Sequence, residues 1–93
     1  MIHRFIGKFP LGVIVATPGV MKSVNENERI SALTRHHNGD WGELPKEDKA
    51  RNNKAISGGS RLLSAYTSQE GIRFWIITEW DRSVTTFLLP EEY

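Results

Sequence analysis

The sequence predicts an α+β domain of order β-α-α-α-β-β-β, its helices packed on one face of a small, mainly antiparallel sheet. Three observations carry this. Over residues 61–89 the apolar side chains recur with period two in three runs separated by turn residues, the pattern of strands joined by tight connections. Over residues 17–59 the chain shows paired helix start and stop signals instead. Ahead of both lies Leu11-Gly12-Val13-Ile14-Val15-Ala16, an aliphatic run of strand length.

That first run is too continuous for a half-wet edge, so a buried strand is expected there. Thr17-Pro18-Gly19 opens a helix, because Thr caps free amides and Pro at the first turn has no N–H to lose. Val20, Met21 and Val24 would form its apolar face, and the polar Asn25-Glu26-Asn27 keeps it short. Asn27 is expected to cap a second helix, with Glu28 facing the helix dipole. Ile30, Leu33 and His37 fall at i, i+3 and i+7, and Asn38-Gly39 is a stop. Asp40-Trp41-Gly42 makes a tight loop. Pro45 then opens a third helix, thinly apolar at Ala50, Ala55 and Ile56, which Gly58-Gly59 ends.

In the C-terminal part, Ser68-Gln69-Glu70-Gly71 and Trp80-Asp81-Arg82-Ser83 are the two hairpin connections. The middle strand, residues 72–79, carries bulky apolar groups on both faces. Its second face therefore needs a cover, from the first segments or from another chain. A single domain over residues 1–93 is expected, with residues 1–9 disordered or extending an edge.

Composition narrows the function classes. Apolar residues make up 39% and charged residues 25% of the 93, which suits a globular domain and not a disordered one. There is no Cys, hence no disulfide, thiolate nucleophile or Cys-based zinc site. No apolar stretch approaches the roughly 20 residues of a membrane span, and the run after Arg4 and Lys8 is too short and too broken by Pro10, Gly12 and Pro18 for a signal peptide. A cytoplasmic location without membrane contact is the expectation. Residues 1–57 carry nine Lys/Arg against six Asp/Glu, and residues 58–93 three against five. Neither part is basic enough to hold a polyphosphate by charge.

Four constellations carry chemistry. His36-His37 after Arg35 offers a general acid or base, or, more plainly, cations near a helix C-terminus. No metal-binding spacing accompanies the pair, so neither metal nor other cofactor is expected. Gly39-Asp40-Trp41-Gly42 presents Trp41 either as a binding anchor or as a lid folded onto the core. By strand alternation Arg73 and Glu79 share a face with Trp75 and Ile77. Together with His36, His37, Arg61 and Thr85 they make up the inventory of a metal-free ribonuclease, in which a base deprotonates the ribose hydroxyl and Arg holds the phosphate. The bland readings are a turn ion pair at Asp81-Arg82 and a cross-strand pair of Glu79 with Arg61 or Arg73. Finally, Trp75, Trp80, Phe87 and Tyr93 with Tyr66 supply the aromatic content that interface cores favour.

Several ordered blocks resemble a known family. These are Leu11-Gly12-x-Ile14-Val15-Ala16-Thr17-Pro18-Gly19, Arg35-His36, Gly39-Asp40-Trp41-Gly42 and Arg61-Leu62-Leu63-Ser64-Ala65-Tyr66, followed by Trp75-Ile76-Ile77-Thr78-Glu79, Asp81-Arg82-Ser83-x-Thr85-Thr86 and Leu88-Leu89-Pro90-Glu91-Glu92-Tyr93. From about Phe9 onward the chain is similar to small bacterial proteins whose genes, carried on plasmids and integrated elements, are labelled plasmid-related or hypothetical. The resemblance implies a mobile-element setting and brings no activity with it. Trp80 stands where that family has a small residue, and Asn25-Glu26-Asn27 is more polar than its first helix.

The leading expectation is a protein-binding module that inhibits or adapts a host protein, for example a defence system. It would dock through an aromatic and Arg-bearing sheet face comprising Trp41, Arg73, Trp75, Trp80 and Arg82. The partner is a host protein or a second copy, the latter giving a homodimer. The alternative is a toxin-like ribonuclease using His36, His37, Arg61, Arg73, Glu79 and Thr85, with RNA as the partner. A DNA-binding role for the helix over residues 27–37 is disfavoured by its few basic residues.

Overall fold

The structure, a computed structural model, describes residues 7–93. Along the chain run β1 (Val13–Ala16), α1 (Pro18–Ser23), α2 (Glu26–His37), α3 (Lys46–Gly58), β2 (Leu62–Thr67), β3 (Arg73–Thr78), β4 (Val84–Leu88) and a closing 3-10 turn (Pro90–Glu92). The sheet order is β1-β4-β3-β2, with β1 parallel to β4 and the other two pairings antiparallel. The expected α+β architecture and element order hold. The parallel β1 follows from its connection: α1, α2 and α3 with two further strands intervene before β4, so no hairpin constrains its direction.

Register sorts the side chains. Tyr66, Phe74, Ile76 and Phe87 lie on one face and form a buried cluster with Val20, Val24 and Ala32 from the helical segments. Leu62 on the same face joins Phe9, Trp41 and Ala55 in a second cluster toward α3. Helices therefore cover one face, as the pattern predicts. Phe9 is 2% exposed and packs in the second cluster, so the expectation of disorder or an edge extension over residues 1–9 does not hold at Phe9; residues 1–6 lie outside the described residues.

Several local expectations shift by a residue or a face. The cap of α2 is Asn25, whose side-chain oxygen accepts from the Glu28 amide at 2.9 Å, and not Asn27. Ala32 and His36 are buried and the expected Leu33 and His37 are half-buried beside them, while the third expected inner residue, Ile30, is 55% exposed. Met21 of α1 is likewise exposed, leaving Val20 and Val24 as its anchors. In α3 the inward residues are Asn52 and Ala55, with Ala50 exposed. The largest departure is β1. It is an edge strand with Val13, Ile14 and Val15 exposed by 66%, 48% and 42%, although its sequence is that of a covered strand.

At the other edge, β2 is closed. The Ala65 amide donates to the Trp41 carbonyl and the Glu43 amide to the Ala65 carbonyl, at 3.2 and 2.8 Å. One step along, Asn52 donates to the Leu63 carbonyl at 2.7 Å and accepts from the Leu63 amide at 3.4 Å. A loop and one amide side chain thus occupy the backbone groups that an open edge would leave for another strand.

Candidate functional site

The face of the sheet turned away from the helical clusters gathers Leu63, Ala65, Trp75, Ile77, Thr86 and Leu88 by register. No helix contributes a buried apolar residue to it, and α3 reaches only its β2 margin, where Asn52 bonds the Leu63 backbone. The C-terminal turn contacts β3, and Tyr93 packs edge-on against Trp75 at 5.8 Å between ring centroids. Arg61 lies over the Tyr93 ring at 5.4 Å. Ala65, Ile77 and Leu88 are buried there, whereas Leu63, Trp75, Val84 and Thr86 are half-buried. Tyr93 is 67% exposed, as is Trp80, at 66%, in the β3–β4 turn. The result is a shallow apolar and aromatic surface one side chain deep.

Its rim is charged but loosely so. Arg73 approaches Glu43 at 3.4 Å, both about half exposed, and Glu43 also accepts from the Thr67 hydroxyl at 2.8 Å. An exposed pair of this kind contributes well under about 1 kcal/mol and releases its Arg at little cost. Glu79 makes no ion pair with Arg61 or Arg73, which overturns the cross-strand expectation.

Two of the residues expected on this surface are elsewhere. Trp41 is 2% exposed, stacked on Phe9 at 6.0 Å and edge-on to His36 at 5.5 Å, with its indole N–H donating to Asn53 at 2.9 Å. It is the lid of the second core cluster and no anchor; the tight loop leads the chain inward because Gly42 sits against β2. Arg82 is half-buried and bonded to three backbone carbonyls. Its guanidinium donates to the carbonyls of Ser60, Ala55 and Glu79 at 2.6, 2.6 and 3.0 Å. Asp81 pairs with the Ser83 amide and hydroxyl rather than with Arg82, and those bonds hold its carboxyl below the usual range. The turn ion pair does not form.

The ribonuclease constellation is divided by the sheet. His36, 0% exposed, and Thr85, also 0%, lie in the core under the helices, while Arg73 and Glu79 belong to the opposite face by strand alternation. Arg61 is on that opposite side as well, over Tyr93. His36 is bound at both ring nitrogens, Nδ1 to the Ser64 hydroxyl at 2.5 Å and Nε2 to the Thr78 hydroxyl at 2.9 Å. Thr78 continues to Thr85 at 2.8 Å, and Thr85 donates to the Leu11 carbonyl at 2.7 Å. A carbonyl can only accept, so the direction of the chain is fixed from that end: Thr85 accepts from Thr78, and Thr78 accepts from the Nε2 proton. Nδ1 is then the acceptor of the Ser64 proton. Burial pushes the His36 pKa down to about 3, and the ring is neutral. His37, half-buried, donates from Nε2 to the Phe9 carbonyl at 2.8 Å. Both imidazoles are thus held by hydrogen bonds on the helical side of the sheet, and His36 has no exposed surface.

Among the described residues no group of His, Asp and Glu is placed to hold a metal ion, and no helix is long and apolar enough to cross a membrane. Strand alternation located Arg73, Trp75 and Ile77 on one face from sequence. Tyr93, which supports Trp75, was not placeable that way, since it follows the last strand and its position depends on the path of the closing turn. Comparison with known proteins finds no matching family model, no matching curated protein and no matching solved structure.

Proposed function

We propose that this chain is a small protein-binding module that docks a protein partner on the sheet face opposite its helices. The observation that carries the reading is the lack of a helical layer over Trp75, Thr86 and Val84, with Tyr93 exposed against Trp75 and Trp80 exposed in the turn that follows β3. Trp75, Trp80 and Tyr93 provide aromatic area, the usual anchor of interface energy. Arg61 and Arg73 at the margin suit a partner with acidic groups around an apolar centre. In the cytoplasm of a bacterium carrying a mobile element, the setting implied by the family resemblance, the partner would be a host protein that the module inhibits or adapts.

The test compares capture by the wild-type chain with capture by Trp75→Ala, Trp80→Ala and Arg73→Glu from the cytoplasm of a bacterial host, read by mass spectrometry. A specific protein retained by wild type and lost at least about tenfold with Trp75→Ala and Arg73→Glu fits a hot spot worth more than about 1.4 kcal/mol. Retention unchanged by all three variants removes this face from consideration. RNA incubated with wild type and with His37→Ala should degrade no faster than RNA alone.

A further inference from the structure

Among the described residues the sheet has one closed edge and one bare edge, and the bare one is built like a covered strand. β2 spends its outward backbone groups on Trp41, Glu43 and Asn52. Among the described residues β1 has no such cover, and no Lys, Pro or bulge within Val13–Ala16 keeps another strand away. The amides of Val13 and Thr17 donate to Ser83 and Phe87 on the β4 side. By the alternation of a strand, Ile14 and Ala16 therefore turn both amide and carbonyl outward. Beside them, on the helical side, runs an apolar groove of about 420 Å³ walled by Ala16, Met21, Ile30 and Phe87, with Glu26 and Arg29 at its margin. Of the seven large exposed hydrophobic residues among those described, five, Val13, Ile14, Val15, Met21 and Ile30, lie on β1 or along this groove.

We propose that the occupant of this edge is a second copy of the chain, its β1 paired antiparallel with the first about a two-fold axis at Val15. That axis sets Ile14 opposite Ala16 of the second copy and satisfies every outward group of both strands with four hydrogen bonds. Neighbouring axes do worse. One at Ile14 recruits Gly12, whose φ of 67° is not that of a strand, and one at Ala16 recruits Pro18, which has no N–H. The side chains match as well: each Ile14 lies beside the small Ala16 of the other copy, next to the groove. Both an acid and a base stand at the groove margin, so a two-fold can set Glu26 of one copy toward Arg29 of the other. A net charge of +1 opposes association little. An unrelated extended segment would meet the same backbone groups, but this chain itself supplies the matching side chains. The pairing produces one eight-stranded sheet and makes the two partner-binding faces continuous across Val15. Strand and groove together fall short of the roughly 20–30 residues per side of a standard interface, so a dissociation constant of about 1–100 μM is expected.

Because the chain has no Cys, Val15→Cys places a single thiol at the axis. Directly opposed residues of a non-hydrogen-bonded pair stand about 4.5 Å apart between Cα atoms, within disulfide range. Under mild oxidation Val15→Cys should form a disulfide dimer at least about tenfold faster than Lys54→Cys on the exposed side of α3, consistent with a bound population. Sedimentation equilibrium of the wild type should show a monomer–dimer equilibrium. Val15→Lys and Val15→Glu should each be monomeric, and an equal mixture of the two should dimerise. A wild type that stays monomeric up to about 1 mM overturns the proposal independently of any variant. Equal crosslinking of the two cysteine variants, or a Lys/Glu mixture that stays monomeric, overturns it too. None of these readouts depends on the partner of the uncovered face.

Discussion

The Ser64 hydroxyl and the Nδ1 of His36 share a single hydrogen across 2.5 Å, and the ring nitrogen can only be the acceptor. A second proton on the ring would turn Nδ1 into a donor and strand the Ser64 hydrogen in a pocket closed to water. Burial already lowers the His36 pKa to about 3, and the neighbouring His37 and Arg82 act in the same direction. The unfolded chain binds this proton near 6.5, the folded one only near 3, so the contribution is fully present above pH 6.5 and is lost as pH falls toward 3. The slope is about 1.4 kcal/mol per pH unit. Melting temperature should therefore drop by roughly 10 °C or more between pH 6.5 and 4.5. His36→Gln should be less stable at neutral pH and nearly flat over that interval. Asp40 and Glu92, whose carboxyls are held low by Arg35 and by Thr17, add their own acid losses only below their ordinary values of 3.8 and 4.5. A pH-independent melting temperature from 6.5 to 4.5 in the wild type would contradict the neutral buried ring.

Arg82 holds two parts of the fold together while sitting in an unfavourable backbone conformation. It is the one non-glycine described residue with positive φ, at 60°, and its guanidinium ties the end of α3 at Ala55 to the strand turn at Glu79. Removing it leaves the Ala55 carbonyl, already near a helix end, without that partner. Arg82→Ala should cost about 2–3 kcal/mol, as expected for charged hydrogen bonds. Arg82→Gly should be about 1 kcal/mol better than Arg82→Ala, since only glycine adopts the left-handed region freely. Urea titration of the two variants checks both the loss and its order.

How much of this was legible in the sequence depended on how far each signal reaches. Strand alternation is set by neighbouring residues, so Arg73, Trp75 and Ile77 were assigned to one face without coordinates. Helix α2 and its half-buried Leu33 and His37 follow from apolar spacing, but that spacing favours the bulky Ile30 over the small Ala32 and passes over His36, whose partners Ser64 and Thr78 are remote in the chain. The position of β1 at an edge depends on which strand the chain chooses to pair with after three helices, a long-range contact that leaves no local trace. For the same reason the ribonuclease grouping failed: His36 and Thr85 share a core, while Arg73 and Glu79 are separated from them by the thickness of the sheet. Trp41 could be read as lid or anchor, and only the pairing of Gly42 with Ala65 decides between them.

That pairing makes a comparison of two glycines informative. Gly42 and Gly59 have similar left-handed backbones, with φ of 75° and 80°. A Cβ on Gly59 would meet nothing within 4 Å, whereas one on Gly42 would collide with the Ala65 carbonyl and press on the Tyr66 ring. Gly59→Ala should therefore lose only the backbone term, about 1–2 kcal/mol. Gly42→Ala should lose that and more, and should raise hydrogen exchange at the Ala65 amide by opening the closed edge. Equal losses for the two variants would mean that the bridge is not formed in solution.

The three tryptophans separate core from surface in one experiment. Trp41 is enclosed by Phe9, His36 and the indole bond to Asn53, so Trp41→Ala should cost about 3–5 kcal/mol and leave a chain folded only in part. Trp80 is 66% exposed in a turn, and Trp80→Ala should stay within about 0.5 kcal/mol of wild type. Trp75 falls between, because it is half-buried and Tyr93 packs edge-on against it. Acrylamide quenching of single-tryptophan chains, with Phe at the other two positions where folding allows, should rank Trp80 first, Trp75 second and Trp41 last. Addition of a true partner should then protect Trp75 and Trp80 and leave Trp41 unchanged. Protection of neither exposed indole by a protein that demonstrably binds would place the contact on another surface of the molecule.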